Sequence, residues 1–393
     1  RKYLERMTGK SVPIFEGIRG GEGFILVGNL GLIKEDEFSN FKDDGFIIRQ
    51  KGGNLYLCGK KYRGTIFAVY RLLELLGCKF LAREEEIVPK VRKLKIDVKE
   101  TRENPAFEWR YFDTTIEGLK CYLDPGIRDE VINGENVPAV LGAPFFWHHP
   151  MNGYLPLDKY GKTHPEYYCL IDGKRWPELK RYSGWNEQVL FHPCVSNPEV
   201  RKVILDTLLP LMDSHPDARY FTVHAGDSDF WCQCDRCNAM DVDPNNKADR
   251  MVQFTNAIAE VVAKHHPEKF VTMLAYVKAY RPPLRDKPKE NVLVWFCPIH
   301  ACQIHSWRAP CNKENLEVLL GWIEKHPSGG MGILTFDYPI NYAYIIEPFP
   351  TLFAYLENLK LYKRLHIRGL YICGIDSRNH LAHLFSYVAP RMM

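Results

Sequence analysis

The stretch Tyr220-Phe-Thr-Val-His-Ala-Gly-Asp-Ser-Asp-Phe-Trp-Cys-Gln-Cys-Asp-Arg-Cys237 begins as a short apolar, β-branched run, Tyr220 to Val223, with the composition of a buried strand. It turns at Gly226, presents His224, Asp227 and Asp229, and closes on three cysteines in the spacing C-x-C-x-x-C. Acidic residues at the carboxyl end of a strand, followed by a loop that carries its own clamp, form the pattern of an active-site edge in an α/β protein. A capped strand with a cysteine-rich surface loop would look the same locally.

Outward from this stretch the pattern repeats. Phe107–Phe112 leads to Asp113, Val140–Trp147 to His148 and His149, and Gln188–Phe191 to His192 and Cys194. Phe270–Ala275 leads to Tyr276, Val292–Phe296 to His300, Met331–Phe336 to Asp337 and Tyr338, and Gly369–Cys373 to Asp376. Helical patterns lie between these runs. Asn197 reads as an N-cap, Pro198 as a first helical residue and His215-Pro216 as a stop, and Ala248–His265, Glu314–His326 and Thr351–Leu365 carry the same periodicity. Eight such strands alternating with helices predict a (β/α)₈ TIM barrel over residues 101–393, with a doubly wound open sheet as the alternative.

Residues 1–100 read as a small α+β domain preceding the barrel. Gly23–Gly28, Asp44–Arg49 and Asn54–Cys58 are strands, Lys51-Gly-Gly-Asn54 is a hairpin turn, and Lys61–Gly77 is a helix whose apolar face holds Ile66, Val69, Tyr70, Leu73 and Leu76. The charged run Lys90–Asn104, broken at Pro105, reads as a linker.

Composition narrows the function. The 393 residues exceed one small core, and 46% hydrophobic with 25% charged content is ordinary for a globular protein. The 52 basic and 48 acidic residues are spread along the chain, so the net charge of +4 points to neither nucleic acid nor an anionic membrane. No apolar run reaches the ~20 residues that span a bilayer. The chain starts at Arg1 and stops after a helical-looking Leu381–Pro390, which reads as a processed chain or fragment with further protein beyond Met393.

Asp227 and Asp337, after the fourth and seventh strands, are the candidate catalytic pair. Cleaving a glycosidic bond takes one carboxylic acid to protonate the leaving oxygen and one carboxylate to attack or to activate water, about 5 to 10 Å apart, a span available across a barrel mouth. Either residue would otherwise cap a helix or pair with an arginine. Trp147, His148, Trp295, Tyr276 and Tyr338 are the expected lining of a sugar subsite, with His224, Asp229, His300 and Asp376 as further polar contacts. Cys297 with His300 offers a thiol alternative, and the same residues without chemistry would make a non-catalytic carbohydrate-binding barrel.

Cys232, Cys234 and Cys237 supply three thiolates within six positions, and Cys194, in the loop after the third strand, is the expected fourth ligand of a structural zinc. A disulfide or free thiols are the alternatives. No cofactor is required for the proposed hydrolysis.

Thr8-Gly-Lys-Ser-Val-Pro13, Tyr62–Gly77 and Glu86-Ile-Val-Pro89 resemble the small α+β domain that precedes the barrel in family 20 hexosaminidases and family 67 α-glucuronidases. His164-Pro-Glu-Tyr-Tyr168, Asp172-Gly-Lys-Arg175, Cys194-Val-Ser-Asn-Pro-Glu199, Gly226-Asp-Ser-Asp229 and Cys232–Cys237 resemble domain of unknown function 4838, a bacterial family placed among the glycoside-hydrolase TIM barrels. The resemblance implies a carbohydrate-active protein, secreted, periplasmic or at the cell surface. Family 20 enzymes carry an Asp-Glu pair after the fourth strand. Gly226-Asp-Ser-Asp229 has no Glu, so substrate-assisted cleavage of N-acetylhexosamines is not implied, and Asp227 as the acid is a positional analogy.

Overall fold

The computed structural model describes residues 1–17, 20–29, 31, 33–81, 85–112, 130–132, 135–137, 149–179, 185–216, 218–344, 347–373 and 382–393. The chain divides into two compact units: Arg1–Asp124 with Ile340–Leu359 and Gly374–Met393, and Pro125–Pro339 with Lys360–Cys373.

In the first unit a four-stranded sheet runs in the order Ile25–Val27, Asn54–Gly59, Phe46–Lys51, Thr101–Glu103. The central hairpin turns on Gly52 and Gly53, both at positive φ, as a two-residue turn matched to strand twist requires. The helix Tyr62–Leu75 buries Phe67, Ala68, Tyr70, Leu72 and Leu73. It lies close to the sheet because Gly64 has no side chain, and a Cβ there would sit 2.6 Å from the Gly45 carbonyl oxygen. Its end is a Schellman motif: Gly77 takes φ 95°, Cys78 N–H donates to the Leu73 carbonyl at 2.9 Å and Gly77 N–H to the Glu74 carbonyl at 2.9 Å. Asp44, 3% exposed, accepts from Arg63 and Arg110 at 2.9 Å each. Burial pushes its carboxyl up, and the two guanidiniums more than offset this and hold it below the usual carboxylate value.

Thr101–Glu103, which the sequence places in a linker, is an edge strand instead. Its backbone completes the free edge of Phe46–Lys51 from Phe46↔Glu103 to Ile48↔Thr101, and its polar composition suits an edge.

Among its described residues the second unit holds five parallel strands of one sheet in chain order: Tyr220–Thr222, Phe270–Ala275, Val292–Phe296, Ile333–Asp337 and Gly369–Ile372. They form a curled half-barrel, where the pattern predicts a closed eight-stranded ring. Val271, Met273, Leu293, Val294, Trp295, Ile333, Leu334, Leu370 and Tyr371 are buried, so consecutive residues on both faces of the strands are dry. Each fully buried aliphatic or aromatic side chain contributes about 1.5–3 kcal/mol through burial. Helices run as the periodicity predicts, over Pro198–Ser214, Ala248–His265, Lys313–Lys325 and Leu352–Arg364. Asn197 caps the first by accepting from Glu199 N–H at 3.0 Å.

Of the other predicted strands, Phe107–Phe112 is present as Trp109–Phe112, and Val140–Trp147 lies outside the described residues. Gln188–Phe191 is corrected: Trp185–Leu190 is a helix. A run of three apolar residues suits either structure, and this one packs its terminal turn against the Asp227 loop. No helix among the described residues is long and apolar enough to cross a membrane.

Candidate functional site

Asp227 follows the strand Tyr220–Thr222 by five residues, on a loop seated against backbone. Its N–H donates to the Val189 carbonyl at 2.8 Å, and Ser228 Oγ donates to the Leu190 carbonyl at 2.5 Å. Gly226 makes that seat possible, since a Cβ would stand 2.2 Å from the Phe191 carbonyl oxygen, with backbone on every near side. Gly226→Ala is therefore expected to cost about 1–3 kcal/mol or more of stability. An unchanged thermal midpoint would show that the loop does not rest on Phe191.

The Asp227 side chain is 42% exposed. Its Oδ1 accepts from the Tyr276 hydroxyl at 3.0 Å and lies 3.9 Å from His149 Nε2. His149 bonds the Ala225 carbonyl through Nδ1 at 2.9 Å; with the hydrogen on Nδ1, its Nε2 faces Asp227 as an acceptor. Burial holds His149 below the ordinary imidazole value against the pull of Ala225 and Asp227. Burial first, then the Asp227 charge and hydrogen bond, raise the Tyr276 phenol, which stays a donor. The next residue, Val277, adopts φ 50°, a costly conformation for a β-branched side chain, at the turn that presents Tyr276. Ser228, Trp231, Leu274 and Tyr276 line a hollow of roughly water size next to the Asp227 loop. The Trp231 indole Nε1 is buried with no partner among the described residues.

Asp337 ends the strand Ile333–Asp337 and is 2% exposed. Its Oδ1 accepts from the Tyr362 hydroxyl at 2.7 Å and its Oδ2 from Thr335 Oγ1 at 3.0 Å. Trp307 Nε1–H donates to the Tyr362 oxygen at 2.5 Å. Burial, then the Asp337 charge, raise the Tyr362 phenol well above its ordinary value.

The two carboxylates belong to one end of the sheet. Asp227 follows Tyr220–Thr222 and Asp337 ends Ile333–Asp337, and Phe270–Ala275 and Val292–Phe296 lie between those strands in one parallel sheet, so both carboxylates come at the carboxyl ends of its strands. Cys297 follows Val292–Phe296, the strand next to Ile333–Asp337.

Several expected contacts lie elsewhere. His224 is fully buried, with Nε2 2.7 Å from Thr272 Oγ1, and Trp295 is fully buried edge-to-face with Phe336 at 6.1 Å, so neither offers a surface to a sugar. Tyr338 is 6% exposed and stacked on Phe336 at 5.0 Å. Asp229 and His300 are exposed. The nucleophilic reading of Cys297 is corrected: the thiol is buried, donates to the Trp295 carbonyl at 3.3 Å, and burial raises it well above the ordinary thiol value. Trp147, His148 and Asp376 lie outside the described residues.

Cys194, Cys232, Cys234 and Cys237 come together with their sulfurs within 4.8 Å of one another. Cys194 Sγ is 3.8 Å from both Cys234 Sγ and Cys237 Sγ. Four sulfurs about 2.3 Å from a tetrahedral zinc stand about 3.8 Å apart, so this donor set fits that ion. The surroundings are those of thiolates: Leu170 N–H points at Cys232 Sγ at 3.3 Å, and Arg175 Nη1 lies 3.9 Å from it while donating to the Tyr168 carbonyl. The hairpin Leu170–Ile171, Lys174–Arg175 delivers both through an Asp172-Gly173 turn with φ 48° and 80°. From the helix Ala248–His265, buried Arg250 donates to the Cys232 carbonyl at 2.8 Å and pairs with Asp241. Sequence reasoning missed Arg250, Tyr362, Thr335 and Trp307. Arg175 alone had a local signal, the Asp-Gly turn before it.

Among solved structures the fold is similar to glycoside hydrolases. A Streptomyces plicatus β-hexosaminidase variant with its product GlcNAc matches at 13% identity and TM-score 0.44, over 85% of this chain and 66% of that one. A Bacteroides fragilis β-N-acetylhexosaminidase matches at 12% and 0.44, over 93% and 78%. A GH138 enzyme targeting pectin rhamnogalacturonan II matches at 12% and 0.36, over 94% and 44%. This chain therefore spans slightly under two thirds of the S. plicatus protein. A search of curated proteins finds no match. A family model described as domain of unknown function (DUF4838) covers residues 80–393, the region holding the Asp227 loop, Asp337 and all four clustered cysteines, and the chain belongs to that family.

Proposed function

We propose that the protein is a glycoside hydrolase acting on a polysaccharide or glycan, with an α+β accessory domain over about the first hundred residues, its sheet completed by Thr101–Glu103, and a (β/α)₈ barrel after it. Asp227 is the general acid and Asp337 the carboxylate that attacks the sugar or activates water. The reading rests on one observation: two carboxylates at the same end of a parallel sheet are held in opposite ways. Asp227 is open to solvent, with a neutral imidazole facing it; Asp337 is dry and bonded by two hydroxyls. Acid and base work ask for two like groups in unlike surroundings, and Asp227 is given the acid role because its exposed side chain can meet a leaving oxygen. Tyr276 orients Asp227. Zinc held by Cys194, Cys232, Cys234 and Cys237 keeps the Asp227 loop in place and takes no part in the chemistry. A polysaccharide substrate places the protein outside the cytoplasm, at the cell surface, in the periplasm or secreted.

The burial of Asp337 favours a second reading, a barrel that holds a glycan without cutting it. A panel of aryl glycosides and native polysaccharides separates the two. Hydrolysis of any member by wild-type protein, lost in Asp337→Asn, supports the enzyme. Binding of a polysaccharide without cleavage supports the second reading.

A further inference from the structure

Apart from these groups, the loop between the strand Val292–Phe296 and the helix Lys313–Lys325 gathers Cys302, His305 and Cys311. Their ligand atoms lie within 4.8 Å of one another. His305 Nδ1 is 3.3 Å from Cys302 Sγ and 3.4 Å from Cys311 Sγ. Around a tetrahedral zinc, with Zn–S about 2.3 Å and Zn–N about 2.0–2.1 Å, such sulfur–nitrogen edges measure about 3.5 Å.

The loop is built rather than draped. Asn312, fully buried, accepts from Cys302 N–H at 3.0 Å and donates from Nδ2 to the carbonyls of Cys302 at 2.8 Å, His305 at 3.0 Å and Ser306 at 3.3 Å. One side chain thus closes the turn at both ends and leaves all three ligand residues facing outward, with Cys302 half-buried and His305 and Cys311 exposed. Ordering a loop of this length around exposed thiols has a conformational cost that the thiols do not repay by burial.

We propose that Cys302 Sγ, His305 Nδ1 and Cys311 Sγ bind one thiophilic divalent cation of the zinc class, with a fourth position open to solvent. Two thiolates and an imidazole select soft or borderline metals over calcium and magnesium. Two Cys and one His with an open position is also a ligand set of catalytic zinc. The site is separate from the four-cysteine cluster and independent of the proposed glycosidase activity.

Cobalt(II) titration of reduced, metal-stripped protein tests it, read by thiolate-to-cobalt absorption and by bound metal per chain. Wild type is expected to take up one ion more than Cys302→Ser/Cys311→Ser, with a difference spectrum of a thiolate-ligated cobalt. His305→Ala is expected to weaken the extra ion by more than the ~10–100-fold typical of outer-shell losses. Because the ligands are solvent-facing, the variants keep the wild-type circular dichroism. Equal stoichiometry in wild type and the double variant overturns the proposal. So does a Cys302–Cys311 disulfide that persists under the reducing conditions.

Discussion

Asp227→Asn is expected to lower turnover of an unactivated glycoside by a factor on the order of 10² or more, with KM changed little. The substitution is nearly isosteric and leaves an oxygen to accept from Tyr276 at the same 3.0 Å, so it removes the transferable proton while keeping the loop. The loss should shrink for aryl glycosides with acidic leaving groups, which depart without protonation. Asp337→Asn should lose activity on every substrate, because the attacking or water-activating carboxylate is needed whatever leaves. Equal losses for both variants on all substrates would remove the division of labour, and wild-type rates in both would remove the mechanism.

The second large effect concerns the four-cysteine cluster. Freshly purified protein is expected to carry zinc there, and Cys237→Ser or exhaustive chelation to lower the thermal midpoint. A ligand present at about 1,000 times its dissociation constant stabilises by about 4 kcal/mol. At about 2–4 °C per kcal/mol for a domain of this size, the midpoint should fall by about 8–16 °C. The loop from Gly226 to Cys237 should become the first site of proteolytic cleavage. Its anchor residues explain why: Cys194 enters from one segment, Arg175 from a hairpin and Arg250 from a helix, and the sulfur cluster is where those segments meet. Metal analysis that finds no zinc, together with a midpoint indifferent to chelators, would leave a cluster of free thiols.

Legibility of the fold followed the physics of each signal. Helices were readable where the ends carry their own chemistry, as at Asn197-Pro198 and Gly77, and where the apolar spacing runs for three turns or more. The strands of the parallel sheet were readable as short continuous apolar runs, yet the same signal misassigned Gln188–Phe191, because three apolar residues in a row do not distinguish a strand from one helical turn. Thr101–Glu103 gave no apolar signal at all; its place is decided by the partner edge it completes. Cys194 was legible as a cluster member although the element before it is the helix Trp185–Leu190 and not the expected strand: three closely spaced thiols ask for a fourth. Facing direction was not legible: in strands buried on both sides nothing marks which side His224 or Trp295 takes. Tyr362 was out of reach, since its bond to Asp337 spans 25 residues and arises only when a helix lies over the sheet.

The bond from Trp307 to Tyr362 also has a polarity. An indole nitrogen only gives a hydrogen, so the phenol oxygen receives there, and its own hydrogen is committed to Asp337. The pair behaves as a ratchet for hydrogen-bond direction: Asp337 is left a receiver on that side, and a visiting water or hydroxyl finds no donor in Tyr362 to compete with. Exchanging the indole for a phenyl ring would free the hydroxyl to turn, and the orientation now imposed on Asp337 would become a choice between two.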